Sequence, residues 1–147
     1  MVTLKQFVAT AILCSVAVSA PAKGDCTSGS EFEPALCPLR LPRIGQIIVR
    51  QGRDVLSEAG PAANCAAFRP TPQQVRRYMT HAKAVGDTDA HHILDRSPCF
   101  AAGELVFNDG RRAEWYIEEF RAGTLKIGDG DTELVYCQAC RFRPFRW

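Results

Sequence analysis

The chain has 147 residues, with 18 Lys and Arg against 16 Asp and Glu, so its formal net charge is +2. That length fits one domain, and the near-balanced charge argues against a dedicated nucleic-acid binder. Hydrophobic residues make up 46% of the chain, too many for a disordered protein, and no apolar run outside the extreme N-terminus is long enough to span a membrane.

Residues 1–22 read as a cleavable export signal. Lys5 supplies the positive start, Phe7 to Val18 is an uncharged apolar run, and Ala20-Pro21-Ala22 fits the small-x-small cleavage rule. Leu13 before Cys14 and Asp25 before Cys26 do not fit a lipoprotein site, so a soluble periplasmic or secreted product without a stable membrane anchor is expected. Cleavage would leave residues 23–147 as a single domain. It would also remove one of the seven cysteines, leaving Cys26, Cys37, Cys65, Cys99, Cys137 and Cys140. An even set suits an oxidising compartment, so the export signal and the disulfide reading support each other.

Residues 23–43 are rich in Pro, Gly and Ser and read as irregular, stapled by Cys26–Cys37. Residues 44–59 are ambiguous. Ile47, Ile48 and Val49 suggest a strand, whereas Ile44, Ile47 or Ile48, Val55 and Ala59 could line one helix face; the helical reading is preferred here. Residues 71–85 form the clearest helix. Thr71 is the N-cap, Pro72 the first helical residue, Gln74 completes a capping box, and Gly86 is a natural stop. Four strands follow: Phe100–Phe107, Arg112–Phe120, Thr124–Ile127 and Thr132–Cys137, separated by Gly-containing turns. Alternation assigns Leu105, Phe107, Ala113, Trp115, Ile117, Leu125, Ile127, Leu134 and Tyr136 to an apolar face. Glu104, Arg112, Glu114, Glu118, Lys126 and Glu133 then fall on the opposite face. The expected fold is a small α+β domain: an N-terminal helical and irregular part packed on a four-stranded antiparallel C-terminal meander, held by disulfides.

Cys137-Gln138-Ala139-Cys140 is a C-x-x-C, but it follows a strand, and Pro144 bars a full helix after it. A redox motif of the thioredoxin kind needs that helix to lower its thiol pKa, so structural disulfides are the better reading. Six cysteines allow fifteen pairings. The expectation is Cys26–Cys37, with Cys65 and Cys99 each joined to one of Cys137 and Cys140. Zinc would need four ligands, and adjacent His91 and His92 on an extended chain point to opposite sides, so no metal and no cofactor are expected. Asp129-x-Asp131-x-Glu133 opens like a calcium loop but lacks its later glycine and glutamate, and reads as an acidic turn. No hydrolase, P-loop or dinucleotide signature occurs, and the chain reads as a non-enzyme.

The densest polar stretch runs from Asp89 to Cys99 and is expected to form a loop or short edge strand. The tail Arg141–Trp147 alternates cations with aromatics, and its expected role is to pack Phe142 and Phe145 while the Arg side chains stay in water.

Four segments carry a resemblance. They are Gln74-Val75-Arg76-Arg77-Tyr78, His91-His92-x-Leu94-Asp95-x-Ser97-Pro98-Cys99, Asp109-Gly110-Arg111-x-Ala113-x-Trp115-x-Ile117 and Tyr136-Cys137-x-x-Cys140. Together they resemble a block, spanning roughly residues 65–145, found in small exported bacterial proteins. Some exported proteins of this size and disulfide content act as periplasmic immunity proteins against secretion-system toxins. With a single stapled domain, an export signal, no catalytic signature and a charged sheet face beside a polar loop, the leading reading is a periplasmic binding protein of the immunity type that occludes a toxic exported enzyme. Candidate partner contacts are His91, His92, Asp95, Arg112, Glu114 and Glu118, with no nucleic acid involved. The alternative is a metal-binding or thiol-redox module using Cys137, Cys140, His91 and His92.

Overall fold

A computed structural model describes residues 26–50 and 65–147. The export-signal segment 1–22 and the second half of the expected 44–59 helix lie outside the described residues.

The elements in chain order are β1 (Leu36–Pro38), β2 (Ile44–Arg50), a 3₁₀ turn (Cys65–Ala67), α1 (Pro72–His81) and β3 (Lys83–Val85). They continue with α2 (Asp87–His92), β4 (Phe100–Phe107), β5 (Arg112–Glu118), β6 (Ala122–Ile127) and β7 (Thr132–Tyr136). All seven strands join one antiparallel sheet in the order β1-β3-β7-β6-β5-β4-β2. This corrects the expected fold. The four C-terminal strands are present, but they form the middle of a seven-stranded sheet. The part before them supplies three strands and two helices rather than a helical layer. The reason lies at the sheet edges. A lone meander would leave β4 and β7 with bare hydrogen-bonding edges. Here β2 pairs along β4, while β3 pairs with β7 and β1 with β3.

Three local expectations change with it. Residues 44–50 are a strand, because β4 offers Ile44–Arg50 a full ladder of partners, with an irregularity between Ile44 and Gln46. The helix over 71–85 ends at His81. Its N-terminus is as expected: Thr71 Oγ1 accepts from the Gln74 N–H, and Gln74 Oε1 accepts from the Thr71 N–H. Ala82 turns extended at φ −61°, ψ 146°, and residues 83–85 then pair with β7. Gly86, expected to stop that helix, instead precedes α2 as its N-cap, so the expected loop at 89–99 begins as a helix.

The main core lies between α1 and one face of the sheet. Val75, Tyr78 and Met79 of α1 meet Leu105, Phe107, Trp115, Ile117, Leu125 and Val135. The tail closes this core. Phe145 is buried, stacks on Tyr78 at 5.4 Å and meets Phe68 edge-on at 5.5 Å. Phe142 is half-buried beside it under the Arg77 guanidinium, while Arg141, Arg143 and Arg146 stay exposed.

β7 enters with its phase shifted by one residue from the expectation. Val135 faces the main core, whereas Leu134 and Tyr136 face the other side of the sheet. A second apolar cluster explains this. Leu36, Val85 and Ala90 are buried there, with Leu94, Leu134 and Tyr136 packed against them. α2 lies over this end of the sheet, so the sheet is apolar on both faces here, and alternation alone cannot say which face is the core.

All six cysteines among the described residues are paired. The bonds are Cys26–Cys37, Cys65–Cys99 and Cys137–Cys140. The first is as expected; the cross-links from Cys65 and Cys99 to the C-x-x-C are not formed. The turn after β7 brings Cys137 and Cys140 to a Cα separation of 5.3 Å, and the Cys140 N–H donates to the Cys137 carbonyl at 3.2 Å. The 3₁₀ turn places Cys65 beside Cys99 at the start of β4. No helix among the described residues is long and apolar enough to cross a membrane.

Candidate functional site

The face of the sheet opposite α1 has two halves. One is roofed by α2. The other, formed by β2, β4, β5 and the adjoining part of β6, carries a ladder of charge. Register places Ile48 beside Glu104, Glu104 beside Glu114, and Glu114 beside Lys126. Two glutamates directly across a strand pair repel. The repulsion is offset because Glu104 accepts hydrogen bonds from both Arg50 and Arg112, and Glu114 has Lys126 as its other neighbour. Glu104, Arg112, Glu114, Lys126 and Asp129 line a shallow cleft of about 370 Å³. On the same face the Phe100 and Tyr116 rings lie 4.7 Å apart with their planes tilted by 31°, both only half-buried. The ladder is thus continued by two aromatic rings.

Glu118 stands at the end of β5, where the roof begins, and is 2% exposed. Arg96 Nε donates to both of its carboxylate oxygens at 3.0 Å, Arg96 Nη2 adds a third contact at 2.5 Å, and the Ser97 N–H donates at 3.0 Å. Next to it Glu119 accepts from Ser97 Oγ at 3.2 Å and from Arg146 Nε at 2.9 Å. These two carboxylates pin the 95–99 turn and the tail onto the sheet. Burial, then the charge of Glu118, pushes the Tyr116 hydroxyl up to about 12.

The expected contact residues therefore fall in three places. Arg112 and Glu114 share the open face. His91 and His92 are exposed on α2, with His91 Nε2 3.3 Å from Asp87 one turn earlier. Asp95 lines a different cleft, beside Arg121 and Trp147. Glu118 is held inside by Arg96 rather than presented to solvent. Arg50 was missed because residues 44–59 read as a helix. The strand period through Gln46, Ile48 and Arg50 is the signal that finds it.

The metal-binding alternative needs free thiolates at Cys137 and Cys140. Both sulfurs are bonded to each other, and both residues are fully buried. Among the described residues no group of three or more His, Cys, Asp or Glu is placed to hold a metal ion.

Compared with protein-family models, with curated proteins and with solved structures, the chain matches none.

Proposed function

We propose that the chain is a soluble exported binding protein that acts in the periplasm as an immunity-type inhibitor, laying the open half of its sheet over a toxic exported enzyme. The observation that carries this reading is the sheet-face ladder Arg50–Glu104–Arg112 and Glu114–Lys126, its cations exposed, beside the Phe100–Tyr116 pair. Charges fixed in a sheet lose little freedom on binding, and alternating signs select one register of an oppositely patterned partner. Three disulfides suit an oxidising, exported setting.

Most residues of the resemblance have structural work: Gln74 in the capping box, Val75, Tyr78 and Trp115 in the core, Ser97 on Glu119, and Asp109 to Arg111 in a hairpin turn. Exposed His92, on α2, and Asp95, in the second cleft, remain without such a role and lie apart from the open sheet face.

Affinity capture from the periplasm of the native host tests this. The expected result is a stoichiometric enzyme partner whose activity is inhibited. The double reversal Arg112→Glu with Glu114→Arg is expected to weaken its binding about tenfold or more, about 1.4 kcal/mol. Failure to recover any stoichiometric partner, or an unchanged affinity in the double variant, would sink the proposal.

A further inference from the structure

A second cleft, of about 450 Å³, lies between the β5–β6 turn, residues 32–34, the turn after α2 and the C-terminal tail. Three arginines line it: Arg121, Arg141 and Arg146. Arg121 is the non-glycine residue with positive φ among the described residues, at 75°. Its backbone is locked. Its N–H donates to the Glu118 carbonyl at 3.0 Å, and its carbonyl accepts from Tyr78 Oη at 2.8 Å and from the Cys137 N–H at 3.1 Å. A glycine would make this turn without steric cost. An arginine kept in a costly conformation at a cleft points to a use for its side chain.

That side chain is only partly used. Nη1 donates to the Gln138 carbonyl at 3.0 Å, and the guanidinium lies 5.3 Å from the centre of the Tyr136 ring. Nε is buried and has no hydrogen-bond acceptor. Arg141 is exposed and has no ion-pair partner among the described residues, and Arg146 reaches Glu119 through Nε. Asp95 and Glu33 stand on the same lining and Glu119 holds Arg146, so Arg121 and Arg141 are the guanidinium groups left to face a ligand. The most exposed large apolar side chains, Phe32 at 82% and Trp147 at 68%, also line this cleft. Arginine and exposed tryptophan together are the composition of a protein-binding hot spot, and a guanidinium fork matches a carboxylate.

We propose that this cleft captures an acidic peptide segment of a protein partner. A carboxylate sits against Arg121 and Arg141, and the neighbouring apolar side chain rests on Phe32 and Trp147. The inference rests on the reading of the chain as a protein-binding module, but uses residues separate from the charged sheet face.

The test uses the oxidised protein, with arginine Nε–Hε resonances followed by NMR. The probe is an acetylated, amidated hexapeptide alternating glutamate and leucine. Saturable shifts of the Arg121 and Arg141 signals are expected, with affinity falling about tenfold when glutamine replaces glutamate in the peptide. Arg141→Glu is expected to weaken binding by a similar factor, and Asp95→Asn to strengthen it about threefold by removing a competing charge. Equal binding of the glutamine peptide, or no saturable shift, would overturn the proposal. Sodium acetate or phosphate moving the same signals as strongly as the peptide would also overturn it, making the cleft a site for free anions. None of these outcomes touches partner capture by the sheet face, which is read on Arg112 and Glu114, so the two readings fail separately.

Discussion

At the scale of single residues, Glu118 shows how a polar side chain becomes structural. It sits on the same strand face as the exposed Glu114, four residues earlier, yet Arg96 and the Ser97 N–H take up its oxygens. Its charge also acts on the Tyr116 hydroxyl. A proton held more tightly in the folded state than in the unfolded chain stabilises the fold below the unfolded value, near 10, and that stabilisation is lost as pH rises through about 12. Spectrophotometric titration of the protein against its Tyr116→Phe variant should therefore show a phenol titrating near 12. In a Glu118→Gln background the same phenol should titrate lower, with burial still holding it above 10. A Tyr116 transition at the ordinary value would contradict the packing described.

At the scale of elements, β2 and β4 approach each other closely at Gly103. A Cβ added at Gly103 would lie 2.0 Å from the Ile48 carbonyl oxygen and 2.7 Å from Trp115 Cζ2. Neither a backbone nor a core indole can give way cheaply. Gly103→Ala is expected to cost about 3 kcal/mol or more in urea denaturation, and to loosen the ladder that carries Arg50. Gly86→Ala, with nothing within 4 Å of the new atom, should stay within about 1 kcal/mol of the parent. Equal effects at the two positions would show that the β2 register is wrong.

At the scale of the whole molecule, the three disulfides differ in what they hold. Cys65–Cys99 closes a separation of 34 residues and ties the approach to α1 to the sheet, whereas Cys137–Cys140 closes only a turn. In the chain-entropy account these are worth about 4 and about 1.5 kcal/mol. Paired Cys→Ser variants should lose stability in that order on denaturant unfolding. Non-reducing peptide mapping should recover Cys26–Cys37, Cys65–Cys99 and Cys137–Cys140; any link between Cys65 or Cys99 and the C-x-x-C would contradict the fold.

Local rules were enough wherever neighbours in sequence settle the geometry. The capping box at Thr71 and Gln74, the Asn108-Asp109-Gly110 hairpin, the alternation of Ala113, Trp115 and Ile117, and the short Cys26–Cys37 loop were all legible in the chain itself. So were Arg112 and Glu114 as exposed sheet residues. What needed the tertiary structure was decided by partners far away. Residues 44–50 became a strand because β4 had an open edge, and Lys83–Val85 left the helical pattern because β7 did. Leu134 and Tyr136 turned away from the main core because α2 brought a second one. Pairing of cysteines, burial of Glu118 beneath Arg96, and the gathering of three arginines around one cleft are likewise long-range outcomes. A residue's pattern states what surface it can cover, and only the assembled sheet determines which surface is there to be covered.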